Sequence, residues 1–293
     1  MQFMMYCLLM VLFIAVRPGY AEDVDKTASS IRLELGADSN EGQEAYLDMD
    51  LVMGYNTHIL LMSGVSRLKS ESDVYETRSR SIGFSSDYDA LFVFGFDDDY
   101  WGNPETLETN TQRFKIGTNL GNWFLQYVYE DRKSKLRTNR VVFKQGSLVD
   151  IPVVIEFNST GKGIDVSFYG FYPLTINVSY IEYEYERDLN IISRHPRFAK
   201  STFPSTSLDA ATGLESWRRS ADISYSLDWG IAGISGSQSE SEIDSSLSTT
   251  GSLYMIWDIS QQWSTGFTVG ESRTDDSEDV IRFIRISVSH QWQ

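Results

Sequence analysis

The chain has almost no cysteine, few histidines or prolines, a deficit of basic charge, and no apolar run long enough to cross a bilayer as a helix. Its single cysteine, Cys7, falls among the first ten of 293 residues. Beyond it no disulfide framework, thiolate metal site or cysteine nucleophile can be built. An exported chain without cysteine also avoids mispairing in an oxidising compartment. Basic residues number 25 against 41 acidic ones, a net charge of −16, which argues against a nucleic-acid partner, since that would need a basic face. The most apolar stretch, Met4 to Val16, falls short of the ~20 residues that a spanning helix needs.

That stretch leads into Pro18-Gly19-Tyr20-Ala21, with small residues where a signal peptidase cuts. Residues 1–21 are therefore expected to be a cleaved signal peptide and 22–293 a single domain. The leader departs from pattern in having no Lys or Arg before Arg17. Cys7 lies too far from the expected cut to serve as a lipoprotein anchor.

What the rest of the chain does have is alternation with a period of two, from about Ile31 to the last residue. Ile31, Leu33 and Leu35 alternate with Arg32, Glu34 and Gly36; Ala45, Leu47, Met49, Leu51 and Met53 alternate with Glu44, Tyr46, Asp48 and Asp50. The pattern returns at Phe114/Ile116, Ile164/Val166, Ile223/Tyr225, Leu253/Met255 and Phe267/Val269. Each strand offers one face to lipid and one to water, so a mean hydropathy of −0.27 is compatible with a membrane barrel, although it would be too polar for a helical membrane protein.

Short turns are expected near 55–57, 87–89, 121–122, 146–148, 172–173, 229–230 and 259–262. Longer polar connections are expected near 38–42, 69–74, 98–109, 134–138, 158–162, 188–215, 242–246 and 273–278. Their regular exchange predicts an all-β, antiparallel up-and-down transmembrane barrel of about sixteen strands, with both termini and the short turns periplasmic. Fourteen strands is the competing count, because 139–157 can be read as a single long strand. Trp123, Trp229, Trp257, Trp263 and Trp292 all fall at the short-turn end and form an expected aromatic girdle at one membrane interface.

The last strand, in which Ile284, Ile286, Val288, His290 and Trp292 alternate with Arg285, Ser287, Ser289 and Gln291, resembles the C-terminal signature of Gram-negative outer-membrane barrels. The resemblance is to an architecture, porin-like, rather than to one named family. It implies an outer-membrane location and recognition of the final strand by the barrel-insertion machinery. Gln293 after the terminal aromatic departs from that signature.

Candidate chemistry is sparse. None of His58, His195 and His290 is followed two residues later by a serine, the His-x-Ser arrangement that a barrel phospholipase would need. Asp87-Tyr88-Asp89 supplies half of a barrel protease pattern, and no Asp-x-His completes it. The chain is expected to be no enzyme and to carry no cofactor or metal. Alternation places Glu44, Asp48, Asp50, Arg113, Lys115, Asp165, Asp222, Asp228 and Arg285 on the lumen, with Arg32 opposite the acids. Asp97-Asp98-Asp99 and the acidic runs after 182, 240 and 275 are expected at extracellular rims. A basic run from Arg132 to Arg140 is expected on an external loop. The long connection 188–215, with Arg194, His195, Arg197 and Lys200, is either a constriction folded into the lumen or an external loop.

Together these features predict a passive pore or export duct for small polar solutes or a secreted glycan, modestly cation-preferring. The alternative is a plugged, non-conducting structural or adhesive protein acting through its charged rim. Expected partners are outer-membrane lipids and lipopolysaccharide, the insertion machinery and, for a duct, periplasmic export proteins.

Overall fold

The computed structural model describes residues 28–53, 57–69, 74–86, 91–144, 147–186, 214–243, 245–275 and 280–292. They form fourteen antiparallel strands in one closed barrel: β1 (Ser29–Asp38), β2 (Gln43–Met53), β3 (Thr57–Lys69), β4 (Val74–Ser86), β5 (Phe92–Gly102), β6 (Leu107–Leu120), β7 (Trp123–Lys144), β8 (Ser147–Phe171), β9 (Leu174–Tyr185), β10 (Glu215–Leu227), β11 (Gly230–Ser241), β12 (Leu247–Asp258), β13 (Trp263–Thr274) and β14 (Val280–Trp292). Each strand pairs with its neighbours in sequence. The seam closes by pairing β1 with β14 from Ser29 opposite Trp292 to Asp38 opposite Phe283. A closed sheet leaves no backbone edge for lipid to meet. At ~4.8 Å between strands and ~40° of tilt, fourteen strands close on a circle roughly 28 Å across at the backbone.

Alternation decides which side chains meet lipid. Leu47, Ile82, Phe84, Phe94, Phe114, Ile116, Val178, Ile223, Leu253 and Ile286 are all exposed. On a water-soluble protein such a continuous apolar belt would be a liability; around a barrel it is the surface that lipid covers. The end where β1 starts and β14 finishes is here called the near end; the described turns there, at 121–122, 172–173, 228–229 and 259–262, are short. At the β6–β7 turn Gly121 has φ of +63°, a left-handed conformation that glycine takes without a Cβ clash.

The sixteen-strand layout is corrected to fourteen, and by a different route from the one the alternative count supposed. Residues 139–157 are not one strand. Instead β7 and β8 are 22 and 25 residues long and stay paired from Trp123 opposite Phe168 to Lys144 opposite Ser147. The connections expected at 134–138 and 158–162 lie inside these strands, and the turn expected at 146–148 lies at the far end, not the near one. Ser134-Lys135 has the polarity of a loop but none of the glycine, proline or asparagine that reverses a chain. Beyond Leu136, the last β7 partner of β6, and Ser159, the last β8 partner of β9, the two strands have only each other and rise past the rim as a ribbon. At the base of the ribbon Lys135 lies 2.7 Å from Glu156, whose carboxyl it holds below the ordinary range.

The placement of two charge runs changes with the layout. Arg132 belongs to β7 and is buried inside the barrel. Asp97 and Asp99 sit mid-strand on β5 opposite Arg113 and Thr111, facing inward rather than lining a rim.

Candidate functional site

Register sorts the inner wall into rings. One runs Gln126, Asp165, Ser179, Ser220, Ser237, Thr250 and Ser272 from β7 to β13, and the next nearer ring runs Phe124, Ser167, Asn177, Asp222, Ser235, Ser252 and Gly270. Hydroxyls dominate from β10 onward. Ser235 and Ser252 are 2.7 Å apart, Thr250 donates to Ser272 at 3.0 Å, and Ser264 and Ser289 meet at 2.6 Å. These side chains bond one another, can bond water equally well and carry no charge, so the wall is wettable and, from β11 to β13, neutral.

The wall from β5 to β10 is different. Above the cavity rings, Arg113 donates to Glu130 at 2.7 Å and lies 3.3 Å from Asp99, while Lys115 reaches Asp97 at 2.7 Å. Arg132 pairs with Glu130 at 2.9 Å and, across the hollow of the sheet, with Glu215 at 3.2 Å. Strands β7 and β10 are not neighbours, so this bond is a chord through the lumen. Arg218 lies 3.9 Å from both Glu130 and Glu215. The Arg132 guanidinium stacks on the Tyr183 ring at 3.8 Å and donates to its hydroxyl, which donates in turn to Glu130 at 3.0 Å. Glu130 is 1 % exposed; burying a carboxylate this deeply requires the full set of partners it has. Gly161 and Gly163 face Tyr183 and Ile181, and a Cβ at Gly161 would stand 2.5 Å from the Tyr183 ring.

On the far side of this crossbar Leu107, Leu136, Phe157, Leu214 and Ile243 form an apolar cap, with Trp101, Ile155 and Tyr185 packed against it. Leu214 and Glu215 end the long connection and lie inside the barrel. Arg194, His195, Arg197 and Lys200 fall outside the described residues.

A second ionic cluster sits on β14, β1 and β2. Arg285 is 2.6 Å from Glu44 and 3.7 Å from Glu34, and Glu34 also pairs with Arg32. Asp48 faces Arg32 in register. Asp50 meets His58 at 2.9 Å. The β5–β10 crossbar has as many bases as acids, whereas this cluster has more carboxylates than bases.

Below the crossbar lies a cavity of about 400 Å³. Phe124, Gln126, Asp165, Asn177, Asp222 and the ring serines from β8 to β11 line it, with no lysine or arginine among the lining residues. Asp222 accepts from Asn177 Nδ2 at 3.3 Å. Asp228 lies not on the wall but in the exposed β10–β11 turn.

At the near end Trp229 stacks on Trp257 at 6.1 Å, Trp123 meets Phe168 at 4.5 Å, and Trp263 stacks on His290 at 4.4 Å, with Trp292 at 6.0 Å from that histidine. All five girdle tryptophans therefore stand at one level. Among solved structures, CymD, a monoaromatic hydrocarbon channel, superimposes with a TM-score of 0.54 at 10 % identity, over 91 % of this chain and 88 % of its own. The chain folds as an outer-membrane β-barrel. OccAB1 of Acinetobacter baumannii (TM-score 0.45, 9 % identity, 90 % of this chain and 95 % of that one) and the KdgM porin (0.44, 9 %, 90 % and 99 %) also match. No protein-family model and no curated protein matches the sequence.

Alternation alone could not find the crossbar of this outer-membrane barrel. Glu130, Arg132, Tyr183, Glu215 and Arg218 come from three strands, and only the two-residue period of Leu125, Tyr127 and Tyr129 hinted that Glu130 and Arg132 share the inner face with Gln126.

Proposed function

We propose that this protein is a passive diffusion pore in the outer membrane of a Gram-negative bacterium, with its near end to the periplasm, admitting small polar solutes with a modest preference for cations. The observation that carries the reading is the asymmetry of the inner wall. One sector is closed by paired charge and an apolar cap, while the inner faces of β11 to β13, with Ser235, Ser237, Thr250, Ser252 and Ser272, present an uncharged hydroxyl-rich surface along which hydrated solutes can exchange hydrogen bonds with the wall. The cation preference rests on the excess of carboxylates over bases in the β14–β1–β2 cluster and on the acids of the cavity. An export duct for a neutral or cationic glycan would use the same wall. Outward-facing Arg67, Arg78 and Arg80 near the far rim suit phosphates of lipopolysaccharide, because guanidinium matches phosphate geometry.

The filled sector supports a second reading, a plugged barrel that works through its rim and its β7–β8 ribbon. Conductance separates the two. The mature protein, refolded and placed in a planar bilayer under a potassium chloride gradient, is expected to give steady open channels with a reversal potential of cation-selective sign. A folded, heat-modifiable barrel without current would replace the pore with the plugged reading.

A further inference from the structure

We infer that the cavity beneath the crossbar is a binding subsite for small hydroxylated amines, with hexosamine-like solutes as the fitting class. The inference rests on the pore reading for access and goes beyond it in assigning a ligand.

Three observations converge on the cavity. Gln126 is 6 % exposed, and its side-chain nitrogen has no hydrogen-bond partner, yet it lines the cavity and faces Asp165 across the β7–β8 pair. A buried amide donor left unsatisfied is costly unless something in the cavity accepts from it. Asp165 has no ion-pair partner among the described residues. Asp222 accepts from the neutral Asn177 amide and, like Asp165, has no ion-pair partner among the described residues, so its charge is uncompensated too. The cavity therefore asks for a positive group and for an acceptor at once.

The spacing refines this. Asp165 and Asp222 stand on β8 and β10 with β9 between them and are offset by two residues in register, roughly 12 Å apart at ~4.8 Å per strand and ~3.3 Å per residue. One metal ion cannot bridge that gap, and no group of three or more His, Cys, Asp or Glu side chains suited to a metal occurs among the described residues. An ammonium at one carboxylate, with hydroxyls donating to the other and accepting from Gln126, spans it. Ser179, Ser220 and Ser237 on the intervening ring offer both donors and acceptors to a sugar's remaining hydroxyls. At ~30 Å³ per water the volume equals about a dozen waters, enough for a monosaccharide and part of its hydration shell.

The test compares glucosamine, glucose, glucuronate and ethylammonium as blockers of single-channel current through the full mature chain, with equilibrium binding in detergent by tryptophan fluorescence alongside. Glucosamine is expected to interrupt the current at about one-tenth the concentration that glucose needs, the extra term being a partly screened attraction to carboxylate. Glucuronate should be inert. The double substitution D165N/D222N should bring glucosamine to the level of glucose, and Q126L should weaken both sugars while leaving ethylammonium unchanged. A conducting channel that treats glucosamine and glucose alike overturns the inference and leaves the pore reading intact. Ethylammonium matching glucosamine overturns the hydroxyl part, reducing the cavity to a cation well. A barrel that carries no current but binds glucosamine in a D165N/D222N-sensitive way sinks the pore reading and keeps the site.

Discussion

Replacing Arg132 with methionine probes the crossbar most directly, because its two carboxylate partners are not equally provided for. Without the guanidinium, Glu130 keeps Arg113 at 2.7 Å. Glu215 keeps only Arg218, at 3.9 Å, in a position 2 % exposed. Removing one member of a buried ion pair costs about 3–5 kcal/mol, mostly as the penalty on the charge left behind. Loss of the guanidinium stacked on Tyr183 is part of the same substitution and adds to it. The R132M barrel is therefore expected to be destabilised by about 3–5 kcal/mol, and the pair R132M/E215L to recover at least ~1–2 kcal/mol of that, since the stranded charge is gone. Reversible urea unfolding of the refolded barrel in thin lipid vesicles, read by tryptophan fluorescence, measures both. An R132M variant within ~0.5 kcal/mol of the parent, or a double variant no better than the single, would mean that water reaches these groups and that the lumen is not closed there.

Other expectations bear on separate parts of the barrel. G161V drives a side chain into the Tyr183 ring and should lower stability by about 1–3 kcal/mol in the same unfolding assay, with a smaller loss for G161A; no loss would place Tyr183 elsewhere. W257F should cost ~0.5–1.5 kcal/mol through its stack with Trp229, and W229F/W257F little more than either alone. In a chain whose one cysteine lies in the expected leader, S235C should react with a water-soluble thiol reagent that spares I234C, while a lipid-soluble reagent should show the reverse preference; equal labelling would break the assignment of faces.

Sequence made the outer surface of this barrel legible and its interior much less so. The lipid face is written one residue at a time, as at Leu33, Leu35 and Leu47, because each such side chain answers to solvent alone. Strand ends are harder: Asn158, Ser159, Gly161 and Gly163 have the composition of a loop, yet here the glycines are the inner-face positions that make room for Tyr183 and Ile181 on the next strand. The local sequence carries no trace of that need, which arises from residues some twenty positions away. The same applies to Arg132, whose polarity suggests an outside position and whose partner Glu215 lies 83 residues further along the chain. Asp165 and Asp222 could be placed on the wall from alternation, but the cavity between them could not.

The chord from Arg132 to Glu215 also bears on how the barrel is assembled. The seam unites Ser29 with Trp292, almost the full length of the chain, and can form only at the end. The groups from Asp97 to Arg218 lie on consecutive strands, so they can come together while both seam strands are still apart. A flexible sheet could curl to many radii. One tied across its own concave side is held to a single arc, as a bowstring holds a bow. The unfinished barrel would then already be bent, with its first and last strands aimed at each other.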